Sequence, residues 1–185
     1  MQTNMKSHLR KITATAVFTA LYIVLDRYLA IVPSTANTNI KITFAVAVLM
    51  LCGYFIGPIA GGVCGALADI VGGIFAGIPI YLPLTLKPVL LGVIPGLVAW
   101  LYEKKKLPFD PYHPVAIALT VVFSELLASG LWATLALSWL MGTSFGTQFV
   151  MRVPVIVLSS AVDAVLLVML LSADAIRKAA QKYLS

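Results

Sequence analysis

The chain has 185 residues, 61% of them hydrophobic and 11% charged, where a soluble domain carries about 45–50% apolar and about 25% charged residues. That balance excludes a soluble enzyme or a soluble binding module, and the length suits one membrane domain over residues 1–185. The formal net charge of +6 reads as a membrane-topology signal, and no nucleic-acid partner is expected.

A spanning helix needs about 20 mostly apolar residues. Six segments qualify or nearly do: residues 12–32, 40–56, 59–76, 81–100, 114–140 and 149–172. The fold class expected is therefore an all-α membrane protein, a bundle of six transmembrane helices in the lipid bilayer. The amino end, with Lys6, Arg10 and Lys11 before an apolar run, looks like a secretory signal. Its apolar run continues to about residue 32, too long for a signal core, so it is read as the first membrane helix.

The second and third segments are short and join at Gly57-Pro58 with no charged loop. Cys52 and Cys64 lie in these apolar runs without metal-site spacing, and are read as small packing residues. In the third segment Gly57, Gly61 and Gly65, then Gly73 and Gly77, recur at four-residue spacing, and Asp69 continues the stripe. Such a stripe predicts a groove for close helix contact. Pro83, Pro88 and Pro95 interrupt the fourth segment, and Lys87 immediately precedes Pro88. Proline bends a helix and frees a carbonyl, which marks this bend either as a structural kink or as a pocket wall. In the fifth segment Trp132 and Trp139 share a face, with Phe145 and Phe149 beyond. They suit an interfacial aromatic belt or a stacking surface for a flat ligand. Glu125 and Asp163 fall near mid-span, either internally paired or available for proton coupling.

The basic residues set the orientation. Lys6, Arg10, Lys11, Lys104, Lys105, Lys106, Arg177, Lys178 and Lys182 all fall on one side if six helices alternate. That side is cytoplasmic by the positive-inside rule, so both termini are cytoplasmic. The outer loops near 33–39, 77–81 and 141–148 contain no Lys or Arg. Arg27, Lys41, Lys87 and Arg152 run against the rule, each at or near the outer end of a span. A charge inside a span costs at least about 2.5–3.5 kcal/mol, so it faces a partner or a wet cavity. The alternatives are snorkelling or pairing with Asp26 and Asp69, and a cationic pocket for an anionic solute open to the outside.

No Walker-type phosphate loop, zinc-protease helix or hydrolase elbow is present. His8 and His113 both lie in cytoplasmic segments. The chain is not read as an enzyme, no metal or cofactor is expected on it, and it cannot hydrolyse ATP by itself.

Four pieces of sequence carry a family resemblance: Ala16-Val17-Phe18-Thr19-Ala20; Asp26-Arg27-Tyr28-Leu29 with Asn39-Ile40-Lys41-Ile42-Thr43-Phe44; Gly57-Pro58 through Gly72; and Leu84-Thr85-Leu86-Lys87-Pro88 leading to Gly96. Together they resemble the substrate-binding S component of energy-coupling-factor (ECF) vitamin transporters, and Arg27 with Arg152-Val153-Pro154 is most similar to the folate-type branch. The resemblance implies a bacterial plasma-membrane protein that captures a vitamin from outside. It also implies docking onto a transmembrane coupling subunit with two ATPase subunits, which use the ATP. The substrate set it implies is Arg27, Asn39, Lys41, Asp69, Tyr81, Lys87, Trp139, Phe145 and Arg152, with Ala16 and Ala20 as the partner-docking pair. Folate leads among the vitamins, with pantothenate, a pyridoxine- or pyrimidine-type precursor and cobalamin as alternatives. A self-sufficient ion-coupled carrier using Glu125, Asp69 and Asp163 is the reading from another class.

Overall fold

A computed structural model describes residues 2–29, 43–77, 79–104 and 110–172. Asn39 and Lys41, most of the first outer loop, Lys105, Lys106 and the basic carboxyl tail lie outside these described residues. The described chain is helical throughout: α1 is Gln2–Tyr28, α2 Ala45–Ile56, α3 Pro58–Phe75 and α4 Leu82–Glu103. α5 is Pro114–Met141, in which α-helical Pro114–Glu125 and Ala133–Met141 flank a π-helical turn at Leu126–Trp132. α6 is Phe145–Ser172. Five of the six are long and apolar enough to cross a membrane.

Proline and glycine set the ends. Pro58, Pro83 and Pro114 sit in the first turns of α3, α4 and α5, where the missing N–H would have had no helical partner. Gly142 closes α5 at φ 63° and Gly77 follows α3 at φ 64°, backbone conformations that a side chain disfavours.

The exception to the expected pattern is α2. It has 12 residues, about 18 Å of helix against a hydrocarbon core of about 30 Å. Every residue from Ala45 to Tyr54 is buried, which fits a helix that is apolar on all sides. It forms the centre of a core that includes Leu49, Met50, Leu91, Ile117, Val121 and Leu167. Asp163 of α6 lies beside the Ala47 N–H at the start of α2. Asp163 is 18 residues beyond Phe145, roughly 27 Å along α6 from its outer end. The described part of α2 therefore occupies the inner half of the bundle.

Glycine lets α2, α3 and α4 meet backbone to backbone. A Cβ on Gly61 would strike the Gly92 carbonyl oxygen, and one on Gly92 would strike the Gly61 carbonyl oxygen. Gly53 sits equally tight on Gly92, and Gly65 on the Pro88 carbonyl. Gly61 and Gly65 of the α3 stripe are thus used in packing against α4, whereas a Cβ at Gly57 or Gly77 would meet open space. By contrast α1 is loosely covered: within it Thr15 and Thr19 are buried, while Val17, Leu21 and Val24 are exposed.

Candidate functional site

Four charged side chains from three helices converge inside the bundle. Glu125 is 2% exposed and ends the first α-helical part of α5, immediately before the π-helical turn. Lys87 of α4, Arg152 of α6 and Asp163 of α6 all lie within electrostatic range of it. Depth along each helix orders them. Lys87 is five residues past Leu82 and Arg152 seven past Phe145, roughly 8 Å and 11 Å from the outer ends. Glu125 is 11 residues past Pro114, roughly 17 Å from the inner end of α5. In the orientation set by the basic loops, the cations stand outward and the carboxylates inward. Lys87 and Arg152 are deep among protein atoms yet both keep some accessible surface. Among the described residues Arg152 Nη1 has no hydrogen-bond partner; a buried polar atom of this kind is costly and uncommon.

A second polar group joins α1, α3 and α4. The Arg27 guanidinium lies against Gly72 of α3 and pairs with Asp26 at 3.6 Å. Asp69 accepts a hydrogen bond from the Thr85 hydroxyl at 2.6 Å. Asp26 and Asp69 both act electrostatically on Tyr22, and Asp26 also on Lys87. Lys87 therefore links the two groups.

Apart from Asn39 and Lys41, which lie outside the described residues, the expected substrate residues separate into two sets. Arg27, Asp69, Lys87 and Arg152 come together in the interior, and half-buried Tyr81 precedes α4 at its outer end. Trp139 is 77% exposed, and Phe145 is stacked on Phe149 at 5.7 Å. Glu125, Asp163 and Trp132 stand outside the expected set but belong spatially to it. Trp132 Nε1 donates to the Pro83 carbonyl oxygen at 2.6 Å, one helical turn from Lys87. A carboxylate in mid-span was the available signal for Glu125 and Asp163. Trp132 carried no such signal, because its aim depends on the widened turn. Ala16 and Ala20 both lie exposed on the uncovered face of α1. Cys52 and Cys64 are free, buried and adjacent, with Thr15 and Thr19 of α1 beside them.

The chain is similar in structure to one solved protein described as FolT bound with folic acid, at a TM-score of 0.68 and 22% identity, over 84% of this chain and 89% of that one. At that identity the likeness shows the fold, an all-α membrane protein. No curated protein matches the sequence. A family model described as "ECF-type riboflavin transporter, S component" matches residues 6–178, nearly the whole length. The expected kinship with ECF S components holds, and the chain is a multi-pass membrane transport subunit rather than an enzyme. It belongs to the family of ECF-type riboflavin transporter S components.

Proposed function

We propose that this chain captures a water-soluble vitamin at the outer face of a bacterial plasma membrane and hands it to an ATP-driven partner module. The observation that carries this reading is the convergence of Lys87 and Arg152 on Glu125, at the outward side of the buried charged cluster. The two cations stand outward of the Glu125 and Asp163 carboxylates in that cluster, and both cations keep accessible surface. An anionic group on the solute completes that set through charge-assisted hydrogen bonds, which are about twice as strong as neutral ones. Arg152 Nη1, buried without a partner among the described residues, is a donor available for it.

Folate, with its carboxylates and flat pterin, fits this requirement and is the first candidate. Riboflavin is the second, favoured by the description of the matching family. Flavin lacks a carboxylate, so it would use the same groups as neutral hydrogen-bond partners and depend less on their charge.

In this reading delivery falls to a transmembrane coupling subunit with two ATPase subunits, as kinship with ECF S components implies; the lack of a nucleotide motif in the chain agrees with it. The face of α1 with Ala16 and Ala20 is the docking surface in this reading. It is exposed, made of small and apolar residues, and little used in internal packing. Small residues let two helices approach closely in lipid.

Mass spectrometry of whatever the denatured, purified protein releases tests the ligand. Folate or riboflavin is expected, followed by tight rebinding of the same compound. A protein that binds neither refutes both ligand assignments. Co-purification of a tagged chain tests the partners: a coupling subunit and two ATPases are expected. Uptake by the chain alone, abolished by collapsing the ion gradient, would refute the partner-driven reading.

A further inference from the structure

A groove of about 780 Å³ runs along the bundle surface between α4 and α5, away from the internal charged group. Val98, Val115, Leu119 and Phe123 form its walls, and Asp110 and His113 stand at one end. We propose that this groove is a binding site for one phospholipid with a primary-amine headgroup.

Length is the first argument. Phe123 is nine residues beyond Pro114, roughly 14 Å along the helix. That is close to half of the hydrocarbon core of about 30 Å, so the groove extends through a single leaflet. The basic loops place that leaflet on the cytoplasmic side. The second argument is polarity. Val115, Leu119 and Phe123 are 59%, 65% and 56% exposed, a surface that only an apolar neighbour satisfies. Its charged or ionisable groups, Asp110 and His113, stand at the interfacial end, and the Thr120 hydroxyl farther along is turned back to the Ala116 carbonyl of its own helix. An occupant with one polar end and one leaflet-long apolar tail is an acyl lipid.

The headgroup follows from the two polar side chains. His113 caps α5, and its Nδ1 accepts from the Val115 N–H at 3.4 Å. A neutral imidazole that accepts at Nδ1 carries its proton on Nε2, leaving that N–H as a donor for a phosphate oxygen. Asp110 Oδ1 accepts from the Tyr112 N–H at 3.0 Å, which holds the carboxylate at the groove's mouth. That carboxylate attracts an ammonium group and repels an anionic glycerol headgroup. A quaternary amine offers it no N–H to accept. The pair therefore selects a zwitterion with a primary amine, phosphate toward His113 and ammonium toward Asp110. This site does not depend on the vitamin reading.

The test is native mass spectrometry of the full-length protein released from nanodiscs. The discs hold equal parts of phosphatidylethanolamine, phosphatidylglycerol and phosphatidylcholine with matched acyl chains. One ethanolamine lipid is expected to be retained several-fold over the other two. Asp110→Asn should bring ethanolamine and glycerol lipids to parity, and Leu119→Trp, which fills the groove, should lower retention of all three. Equal retention by the unaltered protein, or an unchanged preference in Asp110→Asn, overturns the proposal. So does a Leu119→Trp protein that keeps its lipid but loses a co-purifying subunit, since that outcome assigns the groove to a protein.

Discussion

The Thr85 hydroxyl donates to the Asp69 carboxylate over 2.6 Å, tying α3 to α4 two residues before Lys87. The bond gives a charged group within a span the partner it needs. It also fixes the outer end of α4, so that the next turn presents Lys87 toward Glu125 and Arg152.

Replacing Thr85 by Val removes that bond while keeping the shape. Hydrogen bonds to charged groups contribute about 1.5–3 kcal/mol, and an orphaned carboxylate costs at least as much. Thr85→Val should therefore lower the thermal unfolding midpoint in detergent, and Thr85→Ser should restore most of it. Equal midpoints for wild type and the Val variant would show that Asp69 is satisfied without Thr85.

Lys87→Ala and Arg152→Ala should each weaken binding of a carboxylate-bearing vitamin. Loss of one charge-assisted bond worth about 1.5–3 kcal/mol corresponds to roughly tenfold to a hundredfold in Kd. Glu125→Gln removes the competing anion and should not weaken an anionic ligand. Titration calorimetry with folate and with riboflavin checks both arms. Unchanged affinity in the two Ala variants places the binding site elsewhere, and equal losses for the two vitamins argue against a carboxylate contact.

Gly61→Ala and Gly72→Ala add the same methyl group to the same helix with different consequences. At Gly61 the new carbon meets the Gly92 backbone, which moves only with the whole helix. At Gly72 it meets the end of the Arg27 side chain at 3.3–3.4 Å, which can shift by rotation. Overpacking a tight core costs about 1–3 kcal/mol, occasionally more. Gly61→Ala should therefore unfold at markedly lower temperature and Gly72→Ala close to wild type. The reverse order would sink the assignment of the α3–α4 contact.

Ala16→Trp and Ala20→Trp place bulk on an exposed face of α1. Ligand binding by the isolated chain should stay within about twofold of wild type, a change of roughly 0.4 kcal/mol. Assembly with the coupling subunit and uptake in cells should be lost. If transport survives both substitutions, the docking face lies on another helix.

The spans and the clustering of basic residues on one side could be read from the chain alone, because about 20 apolar residues per crossing and the placement of Lys and Arg are local properties of the sequence. The glycine spacing of α3 likewise announced a close contact before its partner was visible. The sequence also marked Arg27, Lys41, Lys87 and Arg152 as out of place in a span, of which Lys41 lies outside the described residues. What it could not supply was their company. That Glu125 joins Lys87 to Arg152, that Arg27 rests on Gly72, and that Trp132 turns toward Pro83 while Trp139 turns outward depend on how helices rotate and slide against one another. The π-helical turn at Leu126–Trp132 and the short α2 set those rotations and depths. The packing itself joins segments far apart in the chain, as where Gly61 of α3 meets Gly92 of α4 and Asp163 of α6 lies beside Ala47 of α2, and no local pattern records such pairings.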